Sequence, residues 1–261
     1  VGAAPPVAGG AEVTRRRRIA TTYGRIWRTY RTWAPSILAL ALIVFIPLGL
    51  LDALAFHVEV ESLDLDSGIK VTAIVLAAGA VAMTGLLGEI FFSGAIAISL
   101  THPHGEEPPS LREIAGRVKY GRLIVVDVAF VAIVTVGLVI GIVPGALVFV
   151  FLGLSGPVVE IEERSAHRAL LRSFQLARGN FWLVFWVLVP IEIAGDAIGS
   201  GLAGLVHGLL GDTFLATWLA ESVSNIALSP VFAVAAVLLT VDLIAAKDGV
   251  APPLHTEPVP A

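Results

Sequence analysis

The chain has 261 residues, of which 56% are hydrophobic and only 15% charged, and its mean hydropathy is +0.87. Soluble domains carry roughly one-quarter charged residues, so this is the composition of an integral membrane protein. No cysteine is present, which excludes disulfides, thiolate metal sites and cysteine nucleophiles, and the formal net charge of −4 decides little because the placement of Lys and Arg carries the information.

Residues 1–12 are mostly Ala, Pro and Gly without periodicity and are expected to be disordered. Residues 13–246 read as one membrane domain. It opens with a basic stretch, 13–32, where Arg15, Arg16, Arg17, Arg18, Arg25, Arg28 and Arg31 alternate with Ile19, Tyr23, Ile26, Trp27 and Tyr30; this pattern predicts a helix lying on a membrane surface. Four arginines before an apolar run resemble a targeting peptide, but 33–56 has the roughly 20 residues of a spanning helix. No small-residue cleavage site follows it, so a retained first span is expected. Next comes HVEVESLDLDSG, 57–68, acidic and without Lys or Arg.

Span two is expected over 69–100, longer than a bilayer requires. His102 and His104 then fall in a loop rich in Pro and Glu, which reads as a solvated turn and not as a metal site. Ser110 is a plausible N-cap for a second surface helix over 110–122, with Leu111, Ile114, Ala115 and Val118 on one face. Span three, 123–143, is expected to end in a tight turn at Pro144–Gly145, followed by a short span four, 146–160, kinked at Pro157. A third surface helix is predicted over 164–178. One side holds Ala166, Ala169, Leu170, Ser173, Phe174, Leu176 and Ala177, the opposite side Arg164, Arg168 and Arg172, and Gly179 and Asn180 supply left-handed residues to end it. Span five, 181–210, turns at Gly211–Asp212 into span six, 214–246, and 247–261 is expected to be disordered.

The basic residues share one side of this scheme. Seven arginines precede span one, four Lys or Arg lie between spans two and three, four lie between spans four and five, and Lys247 follows span six, leaving only Lys70 across the membrane. The positive-inside rule then puts both termini in the cytoplasm and the chain in the inner cell membrane as a multi-pass protein. The expected fold is all-α: six transmembrane helices in three hairpins, each preceded by a basic amphipathic interfacial helix.

The stretch from Ile142 to Trp182, IVPGALVFVFLGLSGPVVEIEERSAHRALLRSFQLARGNFW, holds Pro-Gly, a later Pro with an acid, Ala-Leu-x-x-Ser and Arg-Gly-x-x-Trp in that order, with an echo in LLTVDLIAAKDG at the end of span six. In these features the chain resembles the bacterial six-span family described as the membrane domain of glycerophosphoryl diester phosphodiesterase, together with its uncharacterised relatives. The resemblance implies a fold and a membrane address. The phosphodiesterase chemistry of that family belongs to a separate soluble barrel, for which no segment here has paired catalytic carboxylates.

Ionisable groups inside spans are the remaining candidates for function, since each is costly in hydrocarbon unless paired or hydrated. Glu89 is the deepest in span two, Glu192 and Asp196 share a face of span five at i and i+4, Asp127 lies one turn into span three, and Asn225 offers an amide in span six. Glu89, Glu192 and Asp196 suit a proton or cation relay, or the lining of a polar path. Alternatively Glu89 is hydrogen-bonded within the bundle, while Asp127, Glu160 and Asp242 pair with interfacial arginines. Gly195, Gly199, Gly201, Gly204 and Gly208 predict close helix packing or a broken, site-lining helix. No Walker loop, Rossmann fingerprint, GxSxG or HExxH occurs, so no enzyme, metal or cofactor is expected. Arg15, Arg16, Arg17, Arg18, Arg164, Arg168 and Arg172 are expected to bind anionic lipid headgroups, with no nucleic acid as partner; the sequence leaves protein partners and homo-oligomers open. Two roles follow: a non-catalytic accessory or membrane-organising subunit gripping anionic lipid, or a small transporter or permease using the intramembrane carboxylates.

Overall fold

The computed structural model describes residues 8–56, 88–102 and 109–255, and all their regular structure is helical. In chain order the helices are α1 (Ala8–Phe56), α2 (Glu89–Leu100), α3 (Leu111–Arg117), α4 (Tyr120–Ile140), α5 (Ile142–Leu152), α6 (Ser155–Ile161), α7 (Ala166–Arg178), α8 (Phe181–Leu210) and α9 (Phe214–Asp248). Five stretches among the described residues, 17–51, 120–140, 142–161, 181–210 and 214–248, are long and apolar enough to cross a membrane. This is the build of a multi-pass membrane protein. Of the expected second span only α2 lies within the described residues; 69–87, the acidic segment 57–68 and His104 lie outside them.

The expected surface helix at 13–32 and the first span are one element, because nothing between Thr32 and Pro35 breaks the helix. Ile26, Trp33, Ile37, Leu40, Ala41 and Phe45 form a buried stripe at helical spacing. That stripe lies antiparallel on α9, tied at one end by Arg25 to Asp242 (2.6 Å) and at the other by Trp218 Nε1 donating to the Ile46 carbonyl (3.1 Å). The described part of the second span meets α1 only slightly, so α1 pairs with the last helix and not with α2. α9 is the centre of the bundle: 72% of its most apolar window is buried, against 17% for α8, which forms an outer wall.

Several boundaries differ from expectation for identifiable reasons. The α4–α5 break is at Gly141; Pro144 occupies the first turn of α5, where a missing N–H costs nothing, and the Pro-Gly pair is helical. Gly137 and Gly145 then allow α4 and α5 to touch, since a Cβ on Gly137 would lie 2.9 Å from the Gly145 Cα. The next break falls at Gly153–Leu154, ahead of Pro157, which again sits in a first turn. Ser173 on α7 satisfies the backbone this break opens: its hydroxyl donates to the Phe151 carbonyl (2.8 Å) and accepts from Leu154 N–H (3.2 Å). α3 stops at Arg117, capped by Ser110 and Glu113 in a reciprocal capping box, whose hydrogen bonds from Ser110 hold the Glu113 carboxyl below its ordinary range. Gly179 is right-handed (φ −78°), not left-handed, and α7 gives way to α8 within two residues.

The basic groups that the structure describes gather at one end. Lys119 Nζ donates to Glu163 (2.8 Å) and lowers its pKa, while Arg122 bonds the Glu163 carbonyl (3.0 Å). Arg172 is a correction to the free arginine face: only 7% exposed, it grips Glu162 through Nε (3.0 Å) and Nη2 (2.8 Å) and also pairs with Asp248. Burial works against the charge of Arg172, but Glu162 and Asp248 outweigh it and raise its pKa. Glu162 also holds Arg164. The carboxyl-terminal segment is likewise docked through residue 255: His255 N–H donates to the Leu100 carbonyl (2.9 Å), and its ring stacks on His102 with centroids 3.8 Å apart. His102 is therefore buried, not solvated.

Candidate functional site

α8 and α9 run antiparallel with matched polar faces. On α8, Glu192, Asp196, Gly199 and Ala203 recur at i, i+4, i+7 and i+11; on α9, Glu221, Ser224, Asn225, Leu228, Ser229 and Phe232 recur at i, i+3, i+4, i+7, i+8 and i+11. Each set is one helical stripe. Gly199 brings the stripes together, because Ser224 donates to its carbonyl (3.2 Å) and a Cβ there would already touch Ser224 and Leu228 at 3.4 Å. Glu89, the first residue of α2, closes the space from a third helix. The result is a cavity of about 190 Å³ lined by Glu89, Glu192, Asp196, Glu221, Ser224 and Asn225 with several apolar neighbours, and among the described residues no Lys, Arg or His lines it.

Four of the expected site residues therefore converge: Glu89, Glu192, Asp196 and Asn225. Glu89 is 6% exposed; Ser229 hydrogen-bonds its carboxyl, while Oε2 has no hydrogen-bond partner among the described residues. Asp127 does not join them. It is buried on α4 and accepts hydrogen bonds from Gly88 N–H (2.7 Å) and Ile90 N–H (3.2 Å), so it caps α2 without lining the cavity, and no arginine among the described residues pairs with it. Asp242 does pair with an arginine, Arg25, whereas Glu160 accepts from the backbone N–H of Lys119 (2.9 Å). Of the glycines in α8, Gly195 and Gly199 face α9, whereas Gly201, Gly204 and Gly208 have no atom of a described residue within 4 Å of their Cβ positions; α8 stays continuous through them.

Glu221 was not singled out from the sequence, although the polar run Glu221–Ser222–Val223–Ser224–Asn225 inside an apolar helix is a visible signal for it. His207 stands beyond the cavity toward the 211–213 turn, with Nδ1 3.2 Å from Asp212 and close enough to Glu221 to act on it electrostatically. No group of three or more His, Asp or Glu among the described residues is placed to hold a metal ion. The carboxylates thus share a space without forming a coordination sphere.

A second hollow adjoins the first. A groove of about 730 Å³ between α4, α5 and α8 is walled by Val134, Leu138, Phe149, Trp182, Phe185 and Val189, and it shares Glu192 and Asp196 with the acid-lined cavity. The arginines expected to bind lipid headgroups are more dispersed. Arg17, Arg18 and Arg168 are exposed, Arg164 and Arg172 are occupied by acids, and the side chains of Arg15 and Arg16 lie outside the described residues.

Comparison with protein-family models, characterised proteins and solved structures yields no match to this chain.

Proposed function

We propose that the protein is a small, non-catalytic permease of the inner membrane that moves protons or cations through the carboxylate cavity. The observation that carries this reading is the meeting of Glu89, Glu192, Asp196 and Glu221, from three helices, in one space with no lining base among the described residues. A carboxyl group at mid-bilayer costs about 3 kcal/mol on insertion scales. Four in one place are sustained by shared water and an exchangeable cation more readily than by four separate hydrogen bonds. Their spacing favours a proton, a hydrated ion or an organic cation over a directly ligated metal.

The experiment is ion flux in liposomes holding the full chain, read with an internal pH dye under an imposed potential. Glu89→Gln and Asp196→Asn are expected to lower flux at least tenfold. Unchanged flux in variants that keep their helical content removes the reading. A second role, as an accessory subunit held to anionic lipid, is supported by the exposed Arg17, Arg18, Arg168 and Arg178 and by Trp27, 57% exposed at the same end. Absence of wild-type flux together with retention of anionic lipid that Arg168→Gln weakens would favour it.

A further inference from the structure

On the reading that the cavity is a cation site, we propose that its ligand is an amphiphilic organic monocation, with its charged head between Glu192 and Asp196 facing Glu89 and its apolar body in the groove between α4, α5 and α8. The two hollows share those two carboxylates in their linings. A ligand filling both must carry its charge at one end and an apolar mass beside it. The sizes agree: about 190 Å³ holds an ammonium or phosphonium head with water, and about 730 Å³ lies within the range of pockets that take drug-sized bodies.

The sign of the charge follows from the walls. Among the described residues neither hollow is lined by Lys, Arg or His, and between them they carry Glu89, Glu192, Asp196 and Glu221. Phe149, Trp182 and Phe185 add aromatic faces, which attract cations and accept flat hydrocarbon. Glu89 supplies an independent sign of an unmet partner: Ser229 hydrogen-bonds its carboxyl, yet the buried Oε2 is left without a hydrogen bond from any described residue. A phospholipid chain would fit the groove by shape. Its phosphate, however, would be placed beside four acids and, among the described residues, no base, so it is the wrong head for this site.

The test is scintillation-proximity binding of tritiated benzyltrimethylammonium to the purified, detergent-solubilised full chain, with benzylsulfonate, of similar shape and opposite charge, as competitor. Saturable benzyltrimethylammonium binding is expected, with benzylsulfonate displacing it at least a hundredfold more weakly than unlabelled benzyltrimethylammonium. Glu192→Gln and Asp196→Asn should each weaken binding tenfold or more. Ala146→Trp, which fills the groove from α5 without altering charge, should weaken it at least fivefold. Absence of saturable binding, equal displacement by the sulfonate, or wild-type affinity in Glu192→Gln would overturn the proposal; the sulfonate comparison needs no variant to fold. If flux in liposomes still depends on Glu89 while benzyltrimethylammonium fails to bind, the amphiphile is excluded and the cation path stands. If flux loses its dependence on Glu89, the path itself falls.

Discussion

Glu89 and Asp127 are neighbours around the first turn of α2, and their surroundings give two buried acids opposite duties. Asp127 accepts the N–H groups of Gly88 and Ile90, which the start of a helix leaves without intrahelical partners. Its negative charge also sits at the positive end of the α2 dipole. Asp127→Leu would strand both donors in apolar surroundings, and each buried unsatisfied group costs about 1–3 kcal/mol; a loss of about 2–4 kcal/mol is expected in a detergent-denaturation titration of the full chain. A loss under about 1 kcal/mol would show that the cap contributes little. Asp127 reads from the sequence as an interfacial acid awaiting an arginine, because its real partner, the backbone of residues 88–90, is a tertiary contact that spacing along α4 cannot disclose. Glu192 and Asp196 were legible, since i and i+4 in one helix is a local relation. Glu221 needed α8 opposite it before its polar stripe acquired a meaning.

At the scale of elements, apolar length located α4, α8 and α9 to within a few residues, because a spanning run is defined by its own composition. Breaks were harder to locate. Pro144 and Pro157 attract attention as breakers, yet each follows the actual break by about a turn, where proline is tolerated and the preceding Gly141 or Gly153 does the bending. Close approach depends on glycines whose purpose appears only in contact. Gly156 in α6 faces α2 so tightly that a Cβ would collide with the Ile90 carbonyl and lie 2.6 Å from Ser93 Oγ. Backbone on that side cannot yield as a flexible side chain can. Gly156→Ala is therefore expected to destabilise the chain by about 2–3 kcal/mol, at the upper end of the range for overpacked cores, and to disturb Glu89, which starts the same helix. The denaturation midpoint and the Glu89-dependent flux should fall together; a normal midpoint would mean that α2 and α6 separate more freely than this contact implies.

The whole molecule is asymmetric across its thickness. The ion pairs from Arg25, Lys119 and Arg172 tie the ends of α1, α4, α7 and α9 together at one face, and there the interior of α9 is dry: Ala233, Val234, Ala235, Ala236, Val237, Leu238 and Leu239 are all fully buried. Toward the opposite face the polar groups continue past the cavity, from Glu221 to His207 and Asp212. At 1.5 Å per residue, Ala203 at one end of the cavity stands about 10 Å from the end of α8 at Leu210, whereas Ile191 at the other stands about 15 Å from Phe181. Water should therefore reach the acids from the side of the 211–213 turn and not from the arginine side. The chain has no cysteine, so a single Ser200→Cys, on the exposed lining of the cavity, reports access without background. In oriented membranes, a membrane-impermeant maleimide should modify it at least tenfold faster from the turn side, while Ala236→Cys stays unmodified from both. Equal rates at position 200 from the two sides would mean a path open throughout in the resting protein, and no reaction from either would mean that the carboxylates lie in a sealed chamber, which a permease working from this conformation could not use.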